Sequence, residues 1–281
     1  MKMSKECADC LYDKEVRDRP DPGYLKEVRR LIDEREERAT SPLMVYRFSQ
    51  VMAERGMRPR SFKEDKRRYN DLVLGLEDRF RERIRTSSDP LRTALLYARV
   101  GNYIDFGTLE SVDEETFLGL FDEADMRPEE EKVYQSFLSQ LAEGERFLLV
   151  EDNCGEIVLD KLFLEEMGRT FPHLTLQAMV RGGEVLNDVT LEDAAQTGLD
   201  KAARVISSGA ALPGTVYALM SDEAREALDR ADVILAKGQG NYESLSGEGR
   251  HIFYCFLCKC QYFADRFRVP RLTGMLIEER A

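Results

Sequence analysis

The sequence predicts an α/β fold, in which a Rossmann-like, mostly parallel sheet with flanking helices follows an all-helical N-terminal subdomain. Short apolar runs of strand length alternate with helical patterns after residue 144, and no convincing strand pattern precedes that position. Strands that alternate with helices favour a parallel sheet covered on both faces. We therefore divide the chain into a helical part, 1–144, and an α/β part, 145–281. No linker separates the two, so we expect them to pack as one unit.

Apolar residues at three- and four-residue spacing predict the helices of the first part. Asp89 and Pro90 are a suitable start for one of them, because Asp accepts hydrogen bonds from free backbone N–H groups and Pro fits the first turn. The dense mixed charge of this part is typical of solvated helix faces. The predicted helices cover residues 24–39, 42–55, 61–83, 91–103, 113–124 and 128–142.

The second part opens with an apolar run of buried-strand length, from Arg146 to Val150. Further strands are predicted at residues 174–180, 203–206, 233–236, within 251–258, and at 272–277. Helices are predicted between them at residues 156–169, 191–196 and 215–231.

The composition narrows the class of protein. The chain has 281 residues, a formal net charge of −12 and a mean hydropathy of −0.44. An acidic chain is a poor match for nucleic acid or an anionic membrane surface. The sequence holds no apolar run long enough to cross a bilayer and no signal-peptide pattern at its start, so we expect a cytoplasmic protein.

Acidic side chains follow two of the predicted strands. Asp152 and Asn153 come directly after the first strand, and Asn187 and Asp188 follow the second. Ligands of open α/β sheets bind at the carboxyl ends of the strands, where oxygen-bearing side chains can hold Mg²⁺ or Mn²⁺. Asp188 would join Asp152 on the metal, with Asn187 supporting the substrate or the ligand shell. The alternative is that these residues only cap the following helices.

A third loop, Lys237 to Glu243, follows the fourth strand and contains Gly238 and Gly240. Glycines let backbone N–H groups approach a phosphate, and the lysine adds positive charge. A glycine-rich turn with a surface lysine is the alternative. The loops 207–209 and 213–215 offer further anion contacts before a helix. Cation ligands and phosphate donors together favour metal-assisted phosphoryl hydrolysis.

Four separated segments resemble the damage-control phosphatase family, first catalogued as a domain of unknown function, number eighty-nine in its series. They are residues 101–107 (GNYIDFG), 151–156 (EDNCGE), 181–190 (RGGEVLNDVT) and 236–243 (AKGQGNYE). The N-terminal Cys7-Ala8-Asp9-Cys10 is similar to the Cys-x-x-Cys of the mainly prokaryotic subfamily.

This resemblance implies a phosphatase that uses Mn²⁺, Co²⁺, Ni²⁺ or Mg²⁺ on a small phosphorylated metabolite. It implies metal binding by Asp152, Asn153 and Asp188, with Asn102 and Asp105 near the substrate. It also implies that Lys237 contacts the phosphate, with Gly238 and Asn241 beside it. The implied fold is a helical bundle on a Rossmann-like core. The substrate, the oligomeric state and the nucleophile, either a metal-bound water or Asp152 itself, stay open.

Five of the six cysteines lie in two groups, one at residues 7–10 and one at residues 255–260. Because we expect a cytoplasmic protein, and thiols stay reduced there, a disulfide framework is disfavoured. Cys7, Cys10 and Cys260 are candidates for a Zn²⁺ or redox site, whereas Cys255 is better explained as a small buried residue of a strand. Neither of the two histidines, His173 and His251, lies in a loop considered above. Histidine-based catalysis is therefore disfavoured.

Two other functional classes fit the sequence less well. A methyltransferase-like enzyme would bind a nucleoside cofactor at the acidic strand ends, but it needs a glycine-rich loop after the first strand, and residues 152–155 (DNCG) are a poor version of one. A metal or redox protein without turnover would depend on the cysteines alone.

Overall fold

The centre of the fold is a six-stranded sheet, seen in a computed structural model that describes residues 1–103 and 114–281. The strands in chain order are β1 (Arg146–Val150), β2 (Thr175–Val180), β3 (Arg204–Ser207), β4 (Val233–Lys237), β5 (Ile252–Leu257) and β6 (Gly274–Glu279). They lie in the order β3-β2-β1-β4-β5-β6. The first five are parallel and β6 pairs antiparallel with β5, which confirms the predicted mostly parallel sheet.

The direction of strand addition reverses between β1 and β4, which pair side by side with Val150 opposite Ala236. Ligand sites of open α/β folds form at this kind of switch point, beyond the carboxyl ends of the strands. Successive side chains of β1 point to opposite faces of the sheet, so each face packs against its own hydrophobic cluster. Phe147 and Leu149 enter one hydrophobic cluster, and Leu148 and Val150 enter another on the opposite face.

Helices cover both faces of the sheet and are the regular secondary structure of the described residues before β1. Several begin at side-chain caps, among them the predicted Asp89, whose carboxylate accepts from the Arg92 backbone N–H at 3.0 Å. The helices are α1 (Lys5–Asp18), α2 (Pro22–Asp33), α3 (Ser41–Glu54), α4 (Lys63–Leu74), α5 (Glu77–Thr86), α6 (Pro90–Gly101), α7 (Glu114–Asp122), α8 (Pro128–Glu143), α9 (Glu156–Thr170), α10 (Leu191–Thr197), α11 (Asp222–Arg230), α12 (Gly238–Leu245) and α13 (Gln261–Phe267).

Three predicted helices differ from the observed ones. The predicted helix 61–83 is two helices, because α4 ends at a C-cap glycine, Gly75, and α5 starts after it. The predicted helix 24–39 ends at Asp33. The predicted helix 215–231 begins only at Asp222, where Ser221 caps α11, and a 3-10 turn precedes it. The loop after β4 is itself a helix, α12, rather than a turn.

The helical part contacts the α/β part through α6 and α9. A Cβ at Gly101 would lie 2.9 Å from Leu159 Cδ1 and 3.2 Å from Glu156 Cα, so glycine permits this close approach. The largest hydrophobic cluster contains side chains from both parts, including Phe80 and Phe147. The division at residue 144 stays a prediction. No helix in the described ranges is long and apolar enough to span a membrane.

Candidate active site

Two loops meet at the carboxyl edge of the sheet, one after β1 and one after β2. Asn153 of the first loop and Asp188 of the second form an isolated antiparallel bridge. The backbone N–H of Val189 donates to the carbonyl oxygen of Asp152 at 2.9 Å. Asp152 and Asp188 are both largely buried. The structure therefore brings together the three side chains predicted to bind metal.

Arg181 links the two loops, although the sequence argument gave it no role. Its Nε donates to Asp188 Oδ2 at 2.6 Å, and its Nη2 donates to Asp152 Oδ1 at 3.4 Å. Nη1 donates to Thr215 Oγ1 at 3.2 Å and to Asn241 Oδ1 at 3.0 Å, so the guanidinium is held from four directions. The sequence signal that could have identified Arg181 is its place at the end of a buried strand, where a charged side chain needs partners.

The Asp152 carboxylate accepts two further hydrogen bonds on Oδ2, from Asn102 Nδ2 at 3.0 Å and Asn153 Nδ2 at 2.5 Å. Asn102 comes from the end of α6, as the resemblance implied. Burial, with Asp188 and Glu156 adding to it, raises the pKa of Asp152 to about 7. This carboxyl group therefore exchanges a proton near neutral pH.

Gly238 shapes the space around Asp152. Its φ is +78°, and a Cβ there would lie 2.0 Å from Asp152 Oδ2. Only glycine lets the first turn of α12 approach the carboxylate this closely. Gly238 is thus placed beside the site, as expected, and its contact is with Asp152.

Lys237 has a position different from the one the sequence suggested. It is fully buried, and its ammonium donates to Glu156 Oε1 and Asp160 Oδ1, each at 2.6 Å, and to the carbonyl oxygen of Ala98 at 3.0 Å. Burial alone would lower the pKa of Lys237, but the two carboxylates outweigh it and raise the pKa well above its usual value. All three ammonium protons are directed away from solvent, beneath the loops.

Two more carboxyl groups lie in the same interior. Glu151 is buried, and neither of its oxygens nor Asp160 Oδ2 accepts from an N–H or hydroxyl donor among the described residues. The two carboxyl groups instead lie against each other and can share a proton. Burial and the neighbouring Asp160 raise the pKa of Glu151 well above its usual value. Burial, opposed by Lys237, raises the pKa of Asp160 to about 6. The interior of the site is therefore rich in acidic groups that bind protons more tightly than usual or need a cation nearby to stay ionised.

The donor set fits a hard divalent cation. Buried acidic groups outnumber the buried cations that contact them, and the carboxylates of Asp152 and Asp188 and the amide oxygen of Asn153 are ligand types that such a cation prefers. Among the described residues no three His, Cys, Asp or Glu side chains are grouped to hold a metal ion, so the third ligand would be the amide. The uncompensated buried carboxylates support the fit. The acidic groups are Glu151, Asp152, Glu156, Asp160 and Asp188, and the cations are Arg181 and Lys237.

Lys259 adds a positive charge that the sequence argument missed. It lies between β5 and α13 and is half-buried. Burial is the largest influence on the pKa of Asp152 and Asp188 and raises both, while Lys259 acts in the opposite direction on each. Its charge therefore acts on the two carboxylates of the loop edge, whereas the ammonium of Lys237 is buried among Glu156, Asp160 and Ala98.

The remaining predicted substrate residues have different positions. Asn241 is fully buried and donates to the carbonyl oxygens of Glu151 and Lys237 at 3.0 and 2.7 Å, so it braces the loops. Asn187 is partly exposed beside Asp188, and its carbonyl oxygen accepts from the Cys154 N–H at 2.9 Å. Asp105 lies outside the described residues.

Two cysteines lie near this site, Cys154 in the loop after β1 and Cys255 on β5, in register with Lys237. Cys255 and Cys258 enter hydrophobic clusters on opposite faces of the sheet. The pKa of Cys7 is raised mainly by burial and slightly by Cys260, which places those two near each other, whereas Cys10 is exposed. Within the described ranges no three His, Cys, Asp or Glu side chains are grouped to hold a metal ion. The cysteine site stays a prediction.

Both histidines have partners far from the loop edge. His173 pairs with the carbonyl oxygen of Leu141, and His251 pairs with Glu278 at 2.9 Å.

Comparison with known proteins decides the family. The family described as damage-control phosphatase ARMT1-like domain matches residues 3–273, nearly the whole chain. The chain belongs to this family. A crystal structure of a DUF89 family protein from Pyrococcus horikoshii superposes with a TM-score of 0.79, covers 99% of both chains and is 26% identical. The predicted fold and family are therefore confirmed.

Relatives with a damage-control phosphatase name occur in two archaea. The one from Archaeoglobus fulgidus is 33% identical over 210 residues, which cover 71% of this chain and 69% of that protein. The one from Pyrococcus horikoshii is 34% identical over 182 residues, 63% of this chain and 61% of that protein. An uncharacterized protein of Methanocaldococcus jannaschii is 31% identical over 233 residues, 77% of this chain and 73% of that protein.

Proposed function

We propose that the protein is a divalent-metal-dependent phosphatase that hydrolyses a small phosphorylated metabolite. The observation that carries the proposal is the meeting of Asp152, Asn153 and Asp188 at one loop edge, beside an excess of buried carboxylates. Family membership and the names of its relatives support a phosphatase of the damage-control type. The donor set favours Mg²⁺ or Mn²⁺, with Co²⁺ and Ni²⁺ as further candidates.

Asp152, Asn153 and Asp188 would hold the cation, which would withdraw charge from the phosphoryl oxygens. Arg181 keeps the two carboxylates at a fixed separation, since it contacts both. The pKa of Asp152 is about 7 without a cation, so binding of the cation would release its proton and hold the carboxylate ionised.

The phosphate contact is reassigned to Lys259. Lys237 uses its donors on Glu156, Asp160 and Ala98, so its role is to balance buried carboxylates. Lys259 is half-buried and its charge lowers the pKa of both Asp152 and Asp188, so it is a cation near the loop edge whose donors could reach an anion. Asn187 borders the same loops and would contact the substrate, and Asp105 keeps that predicted role. Asn102 is fully buried and its NH₂ group is used on Asp152 and Glu156, so its role is to brace the loops.

The first experiment is p-nitrophenyl phosphate hydrolysis with a panel of divalent metals. We expect activity that a chelator removes and that Mn²⁺ or Mg²⁺ restores. Asp152→Asn and Asp188→Asn should each lower metal-stimulated activity by roughly 100-fold or more, since each removes a cation ligand. Asp222→Asn, at a fully exposed carboxylate on α11, is the matched control. Full metal-stimulated activity in either loop variant would overturn the site assignment.

Lys259→Ala provides a second test. We expect the inhibition constant for inorganic phosphate to rise at least tenfold while Mn²⁺ affinity is retained or improved, because the variant removes a cation facing the carboxylates. Unchanged phosphate inhibition would remove Lys259 from the substrate site.

A further inference from the structure

Two asparagine amides converge on one buried glutamate. Glu156 Oε2 accepts from Asn102 Nδ2 at 2.8 Å and from Asn153 Nδ2 at 3.0 Å. The same two amides also donate to Asp152 Oδ2. Each NH₂ group is therefore bound between two carboxylates.

The chemistry of this arrangement fixes which way each amide faces. A carboxylate only accepts hydrogen bonds, so it selects the NH₂ end of an amide and repels the oxygen end. With Glu156 and Asp152 on one side, the Oδ1 atom of Asn153 must turn away from both. For Asn102, the Oδ1 atom is buried and has no partner among the described residues. Neither amide can flip without placing an oxygen against a carboxylate.

Glu156 is itself held in place. It is fully buried in the first turn of α9, and its other oxygen, Oε1, accepts from the Lys237 ammonium at 2.6 Å. Asp160, one turn further along α9, accepts from the same ammonium at 2.6 Å. Both oxygens of Glu156 are thus used, one on the amides and one on the lysine.

We propose that Glu156 is a positioning residue that orients the Asn153 amide so that its Oδ1, and not its NH₂ group, faces the cation site. This inference rests on the proposed function. An amide binds a cation only through its oxygen, so a flipped Asn153 would present a donor to the ion. Groups that orient metal ligands typically change metal affinity by roughly 10–100-fold when they are lost.

The test measures Mn²⁺ binding by calorimetry and by electron paramagnetic resonance, without any substrate. Glu156→Gln retains size but offers an NH₂ group and an oxygen, so it no longer selects one amide orientation. We expect its Mn²⁺ dissociation constant to rise by roughly 10–100-fold. Glu130→Gln is the matched control, because Glu130 is also buried and paired, with Arg99 at 3.1 Å, and its other partners are Arg127 and the Leu276 N–H rather than the two loops. It should leave Mn²⁺ affinity unchanged even if it lowers stability.

A second substitution distinguishes orientation from general damage. In the double variant Glu156→Gln with Asn153→Asp, residue 153 carries two equivalent oxygens, and no orientation is needed. Mn²⁺ affinity should therefore recover to within about threefold of the wild type, since the ligand charge also increases. Failure to recover, with both variants folded, would overturn the proposal.

Two further outcomes separate this inference from the proposed function. If Glu156→Gln binds Mn²⁺ like the wild type while Asp152→Asn does not bind, the positioning role is wrong and the metal site stands. If Asp152→Asn also binds like the wild type, the metal site itself is wrong. Should Glu156→Gln not fold, Glu156→Asp carries the test, because it keeps the charge for Lys237 but withdraws the carboxylate by one methylene. Unchanged affinity in that variant would equally overturn the proposal.

Discussion

Replacing Lys237 by methionine tests whether this lysine balances buried charge or contacts substrate. The substitution keeps the volume of the side chain but removes an ammonium that donates to Glu156 and Asp160, both fully buried. Removing one partner of a buried ion pair typically costs ~3–5 kcal/mol of stability, because the other charge is left unpaired. Here two carboxylates lose the same partner, so the upper half of that range is the starting value.

Asp160 reduces this cost by taking up a proton. Burial already raises its pKa to about 6 with Lys237 opposing the rise, so without Lys237 the pKa rises further. The expected loss at pH 7 is therefore about 3 kcal/mol, and it should be smaller at pH 5 than at pH 8. Adding Asp160→Asn should restore part of the loss, since one unpaired charge is removed.

The assay is urea unfolding at these pH values together with phosphate inhibition of turnover. Lys132→Met, on the exposed face of α8, is the matched control and should change stability by less than about 0.5 kcal/mol. The reasoning would be refuted if Lys237→Met lost under about 1 kcal/mol while weakening phosphate inhibition strongly. That result would mean that the ammonium faces substrate, as the family resemblance first implied.

Three other predictions follow from the same loops. Gly238→Ala would place a methyl group 2.0 Å from Asp152 Oδ2 and should weaken Mn²⁺ binding, measured by calorimetry, at least ~tenfold. Gly247→Ala is the control for backbone strain alone, because Gly247 has φ +83° and a Cβ there would meet no neighbour within 4 Å. Because the pKa of Asp152 is raised to about 7, the folded state binds its proton more tightly than the unfolded state does. This contribution to the stability of the metal-free protein is fully present below pH 4 and is lost as the pH rises through about 7, by at most ~1.4 kcal/mol per pH unit. Asp152→Asn should remove this pH dependence from the free energy of unfolding measured in urea. Asn70→Ala removes the acceptor of the Gly155 N–H at 2.7 Å and should cost ~1–3 kcal/mol of unfolding free energy, and no loss would mean that water replaces the amide.

The features that sequence patterns predicted well are those set by local composition. The fully buried β4 reads as a short apolar run, and the acidic loop residues follow strands that end at one edge. Parallel strands bring such residues together without any further information. This is why Asp152, Asn153 and Asp188 were predicted as one group before the fold was known.

The features that escaped prediction depend on the docking of distant elements. A lysine at a strand end usually reaches the surface, yet Lys237 is covered because α6 and α9 pack over it and supply Ala98, Glu156 and Asp160. Arg181 is held by Thr215 and Asn241, which reach it from segments that follow other strands. Local patterns carry no information about which partner arrives from elsewhere in the chain.

The proposed cation site is assembled from residues far apart in the chain, and this separation would tie cation binding to complete folding. Asn102 and Asp152 are 50 residues apart, and Asp152 and Arg181 are 29 apart, so an unfolded chain has no preformed cage for an ion. A cation would then bind the native state almost alone and stabilise it by an amount that grows with the logarithm of its concentration. Cells short of the metal would hold a larger unfolded fraction, which proteases remove. The abundance of the protein, and not only its activity, is thus expected to follow the supply of the metal.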